Sequence, residues 1–302
     1  MQYIDGVENY HSTNPCAITF GKFDGFHRGH QALIGFVKAL SHGEQMESVV
    51  CSIDKGANGV LTTKEEQIEK MQHEVDYLVN CPFSEEFRHI PAEDFIRDII
   101  KGIFHAKYVV VGYNFRFGFR AEGDASFLEA LAEKYDYKVV IIGKRHLYGR
   151  RISSTFIRDS LKRGEVDVAN MLLGYNYGIT GRICHGRKLG TSMGVPTINI
   201  EWPEKKLIPP RGVYLARVFV NGAWYNGVAN IGRRPTVTDE PKVYFECFLL
   251  RFQGDIYGEE AKAEIIEFLR PEEKFGSIEE LKARIKQDVI AAKNYFECSK
   301  NE

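Results

Sequence analysis

The chain has 302 residues, long enough for two domains that each bury a core without disulfide or metal staples. Its formal charge is −1 and its lysines and arginines are dispersed, which excludes bulk attraction to nucleic acid or an anionic membrane and requires any phosphate binding to be local. No apolar run approaches the roughly 18 residues that span a bilayer, and the N-terminus MQYIDGVENYHS lacks a basic stretch followed by an apolar one, so a cytoplasmic protein is expected.

Between residue 17 and about residue 144, short β-branched runs alternate with helical patterns. AITF precedes HQALIGFVKAL, SVVCSI precedes TTKEEQIEKMQ, VDYLV precedes PAEDFIRDIIKGIF, YVVVGY precedes ASFLEALAEKY, and YKVVIIG follows. This alternation predicts a doubly wound, mostly parallel sheet with helices on both faces. Ligands on that architecture gather at the carboxyl ends of the strands. The segment ISSTFIRDSLKRGEVDVANMLLG reads as one or two further helices, and from Tyr175 the texture changes to five or six β runs divided by Gly, Pro and Asn. A small antiparallel β-barrel or sandwich is expected there. It is closed by a C-terminal helix with the apolar stripe Ile278, Leu281, Ile285, Val289 and Ala292 packed on it. The expected domains are therefore residues 1–172 and 173–302. The six cysteines show no C-x-x-C pair and sit mostly among apolar neighbours, as reduced cysteines used as small hydrophobes do.

Chemistry concentrates first in DGFHRGH, at the junction of the first such strand and its helix. His27 and His30, three apart at a helix start, can project from one face. Helix amides and the helix dipole favour an anion there; Gly25 permits the turn, and Gly29 would let a phosphate approach the backbone. Two surface histidines on an amphipathic helix would give the same letters. The second cluster, RISSTFIR, follows the domain's last strand. Ser153, Ser154 and Thr155 can cap a helix, which would explain them without function, yet Arg158 one turn in adds a cation able to hold a polyphosphate. In GYNFRFG, a glycine-bounded loop after a buried strand, the rings of Phe115 and Phe117 beside Asn114 either stack on a planar ligand or pack into the core. Together the two polar clusters look like a nucleotidyltransferase.

In the second half, GRICHGRK nearly fits a phosphate-binding loop, but Arg187 and Lys188 occupy its last two places and no helix pattern follows, so that reading is rejected. In VPTINI, strand alternation sends Thr197 and Asn199 to one face, where two oxygen-bearing side chains can share a hard cation or a phosphate. A solvated strand face is the alternative. In KVYFECFLL a single carboxylate, Glu246, lies between Tyr244 and Phe248 on one face. Partial desolvation would suit it to take a proton from a hydroxyl; an edge strand in water would explain it equally.

H-x-G-H with a distal S-S-T-x-x-R is the pattern of the nucleotidyltransferase superfamily. GKFDGFHRGHQALI, VVGYNFRFGFRAEGD and ISSTFIRDSLKRG resemble the bacterial bifunctional riboflavin kinase/FMN adenylyltransferase (FAD synthetase) family, and HGRKLGTSMGVPTINI, GVANIGRRPT and VYFECFLLRFQGDIYGEE are similar to its riboflavin kinase domain, a small β barrel. The resemblance implies that the first domain adenylylates FMN without a covalent enzyme intermediate. His27 and His30 would polarise ATP phosphates, Ser154 and Arg158 with the adjacent Thr155 would hold the triphosphate, and Asn114 with Phe115 and Phe117 would line the FMN site. It implies that Thr197 and Asn199 serve Mg2+ and nucleotide phosphate, that Glu246 accepts the ribityl proton of riboflavin, and that Gly186, Arg187 and Gly190 cradle phosphates. The small-molecule substrates would be riboflavin, FMN and ATP, with no nucleic acid or membrane partner. Three departures stand out: the short segment CSIDKGANGVLTT, where the family usually has a longer one with proline and histidine, Thr191 in place of an arginine, and Tyr175 after LLG. They leave two alternatives beside a bifunctional enzyme, namely a riboflavin kinase with a degenerate first domain and a flavin-binding regulator without turnover.

Overall fold

The computed structural model describes residues 1–185, 197–234 and 242–298, and divides into two compact units, Met1–Ser154 and Thr155–Glu302. In the first unit the elements run β1 (Gln2–Asp5), β2 (Cys16–Gly21), α1 (Arg28–Glu44), β3 (Glu47–Asp54), α2 (Lys64–Met71), β4 (Tyr77–Pro82), α3 (Glu85–Arg88), and α4 (Ala92–Asp94) continued by π-helical turns over Phe95–Ile103. Then come β5 (Ala106–Gly112), the two-residue strands β6 (Arg116–Phe117) and β7 (Gly123–Asp124), α5 (Ala125–Ala130), β8 (Lys138–Ile142), and a hairpin of β9 (His146–Leu147) and β10 (Arg150–Arg151).

Six strands form one sheet in the order β1-β4-β3-β2-β5-β8, with every pairing parallel. The fold class expected from the strand-helix alternation is the one observed. In β2, Cys16 to Phe20 are all buried, the burial on both faces that a central parallel strand requires. Chain order reverses between β2 and β5: β3 and β4 are laid on one side of β2, β5 and β8 on the other. This switch point leaves a crevice at the carboxyl ends of β2 and β5, and the loops that open there are GKFDGFH and GYNF. Edge strand β1 was not foreseen. It pairs with β4 in register from Gln2 opposite Tyr77 to Asp5 opposite Asn80.

In the second unit α6 (Ser154–Lys162) and α7 (Val166–Leu173) precede β11 (Gly178–Arg182), β12 (Thr197–Glu201), β13 (Gly212–Val220), β14 (Ala223–Arg234), β15 (Lys242–Leu249), β16 (Glu260–Pro271) and α8 (Ile278–Cys298). The strands pair antiparallel in the order β11-β16-β13-β14-β15-β12. A bridge between Cys184, just past β11, and Asn199 of β12 brings the two edges together, so the sheet is a nearly closed six-stranded barrel. The helix pair belongs to this unit for a physical reason: the Asn170 side chain of α7 donates to Ile265 O at 2.9 Å and accepts from Tyr177 N at 2.7 Å, fastening α7 to β16. The compact units therefore part at 154/155, whereas the expected functional boundary was 172/173. Helix α8 buries Ala292 and, within its stripe, Asp288; Ile278 at its start is exposed.

Candidate functional site

The turn after β2 is built under strain. Phe23 and Phe26 have φ of +46° and +39°, a region costly for bulky side chains, and Gly25 between them has φ +84°. The turn closes through Phe26 N to Phe23 O at 3.1 Å and is held from outside. Gly25 N donates to Thr62 Oγ1 at 3.0 Å, and Asp24 Oδ1 accepts from Leu61 N at 2.7 Å and from Thr62 N at 3.2 Å. The segment between Cys51 and Thr63 is thus the clamp on this turn. Ser154 Oγ donates to Asp24 O at 2.9 Å, so the SST motif reaches the same turn.

Held in this way, His27 becomes the N-cap of α1, and its Nδ1 accepts from His30 N at 3.2 Å. An accepting Nδ1 places the proton of the neutral ring on Nε2. The two imidazoles stack, ring centres 3.6 Å apart and planes 14° apart, so they do share one face. Burial pushes the His27 pKa down to about 4, and burial together with the neighbouring His27 holds His30 well below its ordinary value. Both rings are therefore neutral near pH 7. His30 Nδ1 is buried with no hydrogen-bond partner among the described residues, an unsatisfied polar atom of the kind that marks functional sites. At Gly29 a side chain has little room. A Cβ there would meet the His27 ring at 3.1 Å and Ile152 Cγ2 at 3.7 Å, because the capping imidazole folds back over the first turn.

Across the crevice, the loop after β5 turns through Phe115 N to Gly112 O at 2.9 Å. Asn114 is exposed and Phe115 half-buried, whereas Phe117 is only 7% exposed and packs on Phe95 in the core. Of the two rings, Phe117 takes the core-packing role and Phe115, stacked on it at 5.5 Å, is the one left at the rim. Thr155 is exposed and Arg158 half-buried on α6, within the second compact unit.

In the barrel, β15 alternates as expected: Phe245, Cys247 and Leu249 are buried, while Tyr244, Glu246 and Phe248 occupy the other, half-buried face. Register sets Glu246 opposite Asn199 of β12 on one side and Asn230 of β14 on the other, a polar row across three strands. Thr197 Oγ1 donates to Glu246 Oε1 at 2.7 Å, and Asn199 is fully buried. The Tyr257 hydroxyl donates to Thr197 O at 3.4 Å, and its ring stacks on His185 at 4.0 Å. Asn230 and Tyr257 were not singled out in the sequence, since cross-strand partners and loop contacts leave no mark in local periodicity. Gly186, Arg187, Gly190 and Thr191 lie outside the described residues. Hydroxyl, amide and carboxylate oxygens on one face form a hard-donor set, the chemistry that suits Mg2+ held jointly with substrate phosphates. Among the described residues no cluster of three or more His, Cys, Asp or Glu side chains could hold a metal by itself.

Sequence profiles of two families match the chain, FAD synthetase over residues 9–156 and riboflavin kinase over residues 173–296. Curated relatives described as bifunctional riboflavin kinase/FMN adenylyltransferase include one from Buchnera aphidicola, 32% identical and covering 100% of both chains. Another, from Listeria monocytogenes, is 34% identical over 92% of each. A crystal structure from Streptococcus pneumoniae titled as a macrolide-efflux protein superposes with a TM-score of 0.87 at 26% identity, covering 97% of this chain and 99% of that one. Among the described residues of the present chain, no helix is long and apolar enough to cross a membrane.

Proposed function

The chain belongs to the bifunctional riboflavin kinase/FMN adenylyltransferase family, transferases of flavin cofactor biosynthesis, and we propose that its two reactions run at the His27–His30 turn and at the Thr197–Glu246 pair. The profile matches support functional domains of residues 1–172 and 173–302, with riboflavin, FMN and ATP as substrates. Use of ATP as donor favours a cytoplasmic setting.

At the first site a phosphate oxygen of FMN attacks the α-phosphorus of ATP, the α–β bridging bond breaks, and pyrophosphate leaves. The neutral His27 ring offers Nε2–H to the oxygens on which charge accumulates, and His30 supports it by stacking. A neutral ring with its proton on Nε2 still donates one hydrogen bond to a phosphate oxygen. Ser154 sets the turn against Asp24 and Gly25 gives the turn its left-handed step; Thr155 and Arg158, which follow Ser154 in the motif, would hold the triphosphate by the family's pattern. Asn114 and Phe115 receive the isoalloxazine, a flat ligand for a flat ring.

At the second site the ribityl hydroxyl attacks the γ-phosphorus of ATP, its proton passes to Glu246, and ADP leaves. Thr197 holds the carboxylate in one orientation through their hydrogen bond. Thr197 and Asn199 would hold Mg2+, which when bound would neutralise phosphate charge; Gly186, Arg187 and Gly190 would cradle the phosphates. The observation that carries this reading is the pair of stacked, neutral imidazoles at the switch-point crevice, His27 buried and His30 half-buried. Incubation with riboflavin, ATP and Mg2+ followed by flavin chromatography tests it: FMN and then FAD should appear, and absence of both rejects the assignment.

A further inference from the structure

The dispersed distribution of cations fails at one place. The hairpin of β9 and β10 carries KRHLYGRR, and no Asp or Glu occurs anywhere from Tyr137 to Arg158. Lys144, Arg145, His146, Arg150 and Arg151 are all exposed. The tip is a two-residue turn of Tyr148 and Gly149, with φ of +48° and +73°, the left-handed pair that a tight hairpin demands.

The hairpin's root, not its tip, gives it a function. Arg151 Nη2 donates to Tyr113 Oη at 2.9 Å, and Lys144 Nζ lies 5.1 Å from the centre of the same ring. Tyr113 adjoins Asn114 in the loop after β5. Ile152 N donates to Arg145 O at 3.1 Å, and Ile152 also borders Gly29 in the H-x-G-H turn. Two residues on, Ser154 bonds to Asp24. Four full positive charges thus sit on a hairpin rooted against both loops that border the crevice, in a chain whose net charge is −1. Every reactant of adenylylation is a phosphate anion. A cation cluster at a cleft mouth raises the local concentration and on-rate of anions, and salt screens that effect beyond roughly 10 Å at 0.1 M.

We propose that the Lys144–Arg151 hairpin is an electrostatic capture arm that draws phosphorylated substrates into the FMN adenylylation crevice. Arg151 anchors it through Tyr113, and Lys144, Arg145 and Arg150 supply the field. The proposal rests on the adenylylation reading of the first unit.

The test is the rate of FAD formation from FMN and ATP between about 20 mM and about 500 mM salt, with ATP and FMN varied in separate series to tell which substrate is steered. For the unaltered protein kcat/KM should fall about tenfold across that range, more steeply than for riboflavin phosphorylation by the same preparation. The variant Lys144→Gln/Arg145→Gln/Arg150→Gln should begin about tenfold lower at low salt and stay nearly flat, meeting the unaltered protein at high salt, with the loss in kcat/KM and not in kcat. The charge-retaining Arg145→Lys/Arg150→Lys variant should keep the steep dependence. Parallel salt curves, a loss confined to kcat that persists at high salt, or an unaltered protein whose two reactions respond alike to salt would each overturn the capture arm while leaving adenylylation intact. No FAD from the unaltered protein would overturn the adenylylation reading and the capture arm together.

Discussion

Ser154 donates its hydroxyl to the backbone oxygen of Asp24 at 2.9 Å, joining residues 130 apart in the chain. Asp24 is tied on its other side to Leu61 and Thr62, so the strained turn before His27 is gripped from two directions. Replacing Ser154 with Ala removes one grip, a bond worth about 1 kcal/mol in stability. Because small misplacements of catalytic groups are costly, kcat/KM for FMN adenylylation should fall at least about tenfold. The loss should be confined to FAD formation and partly restored by Ser154→Thr. Comparing initial rates of FMN and FAD production checks this; equal losses in both reactions would refute it.

How much of this was legible in the sequence depends on the range of each interaction. The parallel sheet and the shared face of His27 and His30 follow from periods of two and 3.6 residues, which a linear string displays. β1 is too short to show a period and exists because β4 offers an open edge. The row Asn199–Glu246–Asn230 depends on the register of three strands far apart in the chain, and only Glu246 and Asn199 stood out alone. The contact of the capping imidazole with Gly29 left no mark in the sequence for a related reason: capping geometry is set by the turn that Asp24 and Thr62 hold. Average charge hid the basic hairpin, since averaging removes position.

Burial of His27 has a pH consequence. Its pKa, about 4 in the folded chain against 6.5 as the ordinary value, means that the unfolded chain binds more protons between those limits. Stability from this group is complete above about pH 6.5 and declines as pH falls toward 4, by on the order of 3 kcal/mol. Asn is also a strong N-cap, so His27→Asn should retain the helix start, flatten this part of the stability profile and abolish FAD formation. Denaturant melts of the two proteins between pH 4 and pH 7 measure the difference.

Thr197 and Glu246 make a prediction for the barrel. A general base contributes about 10²- to 10⁴-fold, so Glu246→Gln should reduce riboflavin phosphorylation by that factor while FAD still forms from supplied FMN. Thr197→Val leaves the carboxylate in place but removes the hydroxyl that orients it at 2.7 Å. Its effect should be smaller, about tenfold to a hundredfold, and Thr197→Ser should recover most of it. A Thr197→Val protein as fast as the unaltered one would show that the hydrogen bond does not position the base.

Arg270 of β16 and Asp288 of α8 form a two-pronged pair, Nε to Oδ1 at 3.0 Å and Nη2 to Oδ2 at 2.7 Å, with both side chains under one-tenth exposed. Glu273 extends it at 3.6 Å from Arg270, and Arg284 lies 3.3 Å from Glu273. Such a pair sits awkwardly in an apolar stripe, and its energetics are asymmetric. Asp288→Ala strands a buried guanidinium and should destabilise the second unit by about 3–5 kcal/mol in denaturant melts. Arg270→Met/Asp288→Leu removes both charges together and should lie within about 1–2 kcal/mol of the unaltered protein, on either side. If the double variant lost as much as the single one, the pair would contribute stability beyond mutual neutralisation, through the wider network with Glu273 and Arg284. Riboflavin phosphorylation by the double variant should persist, because the pair lies on a strand and a helix that carry none of Thr197, Asn199 or Glu246.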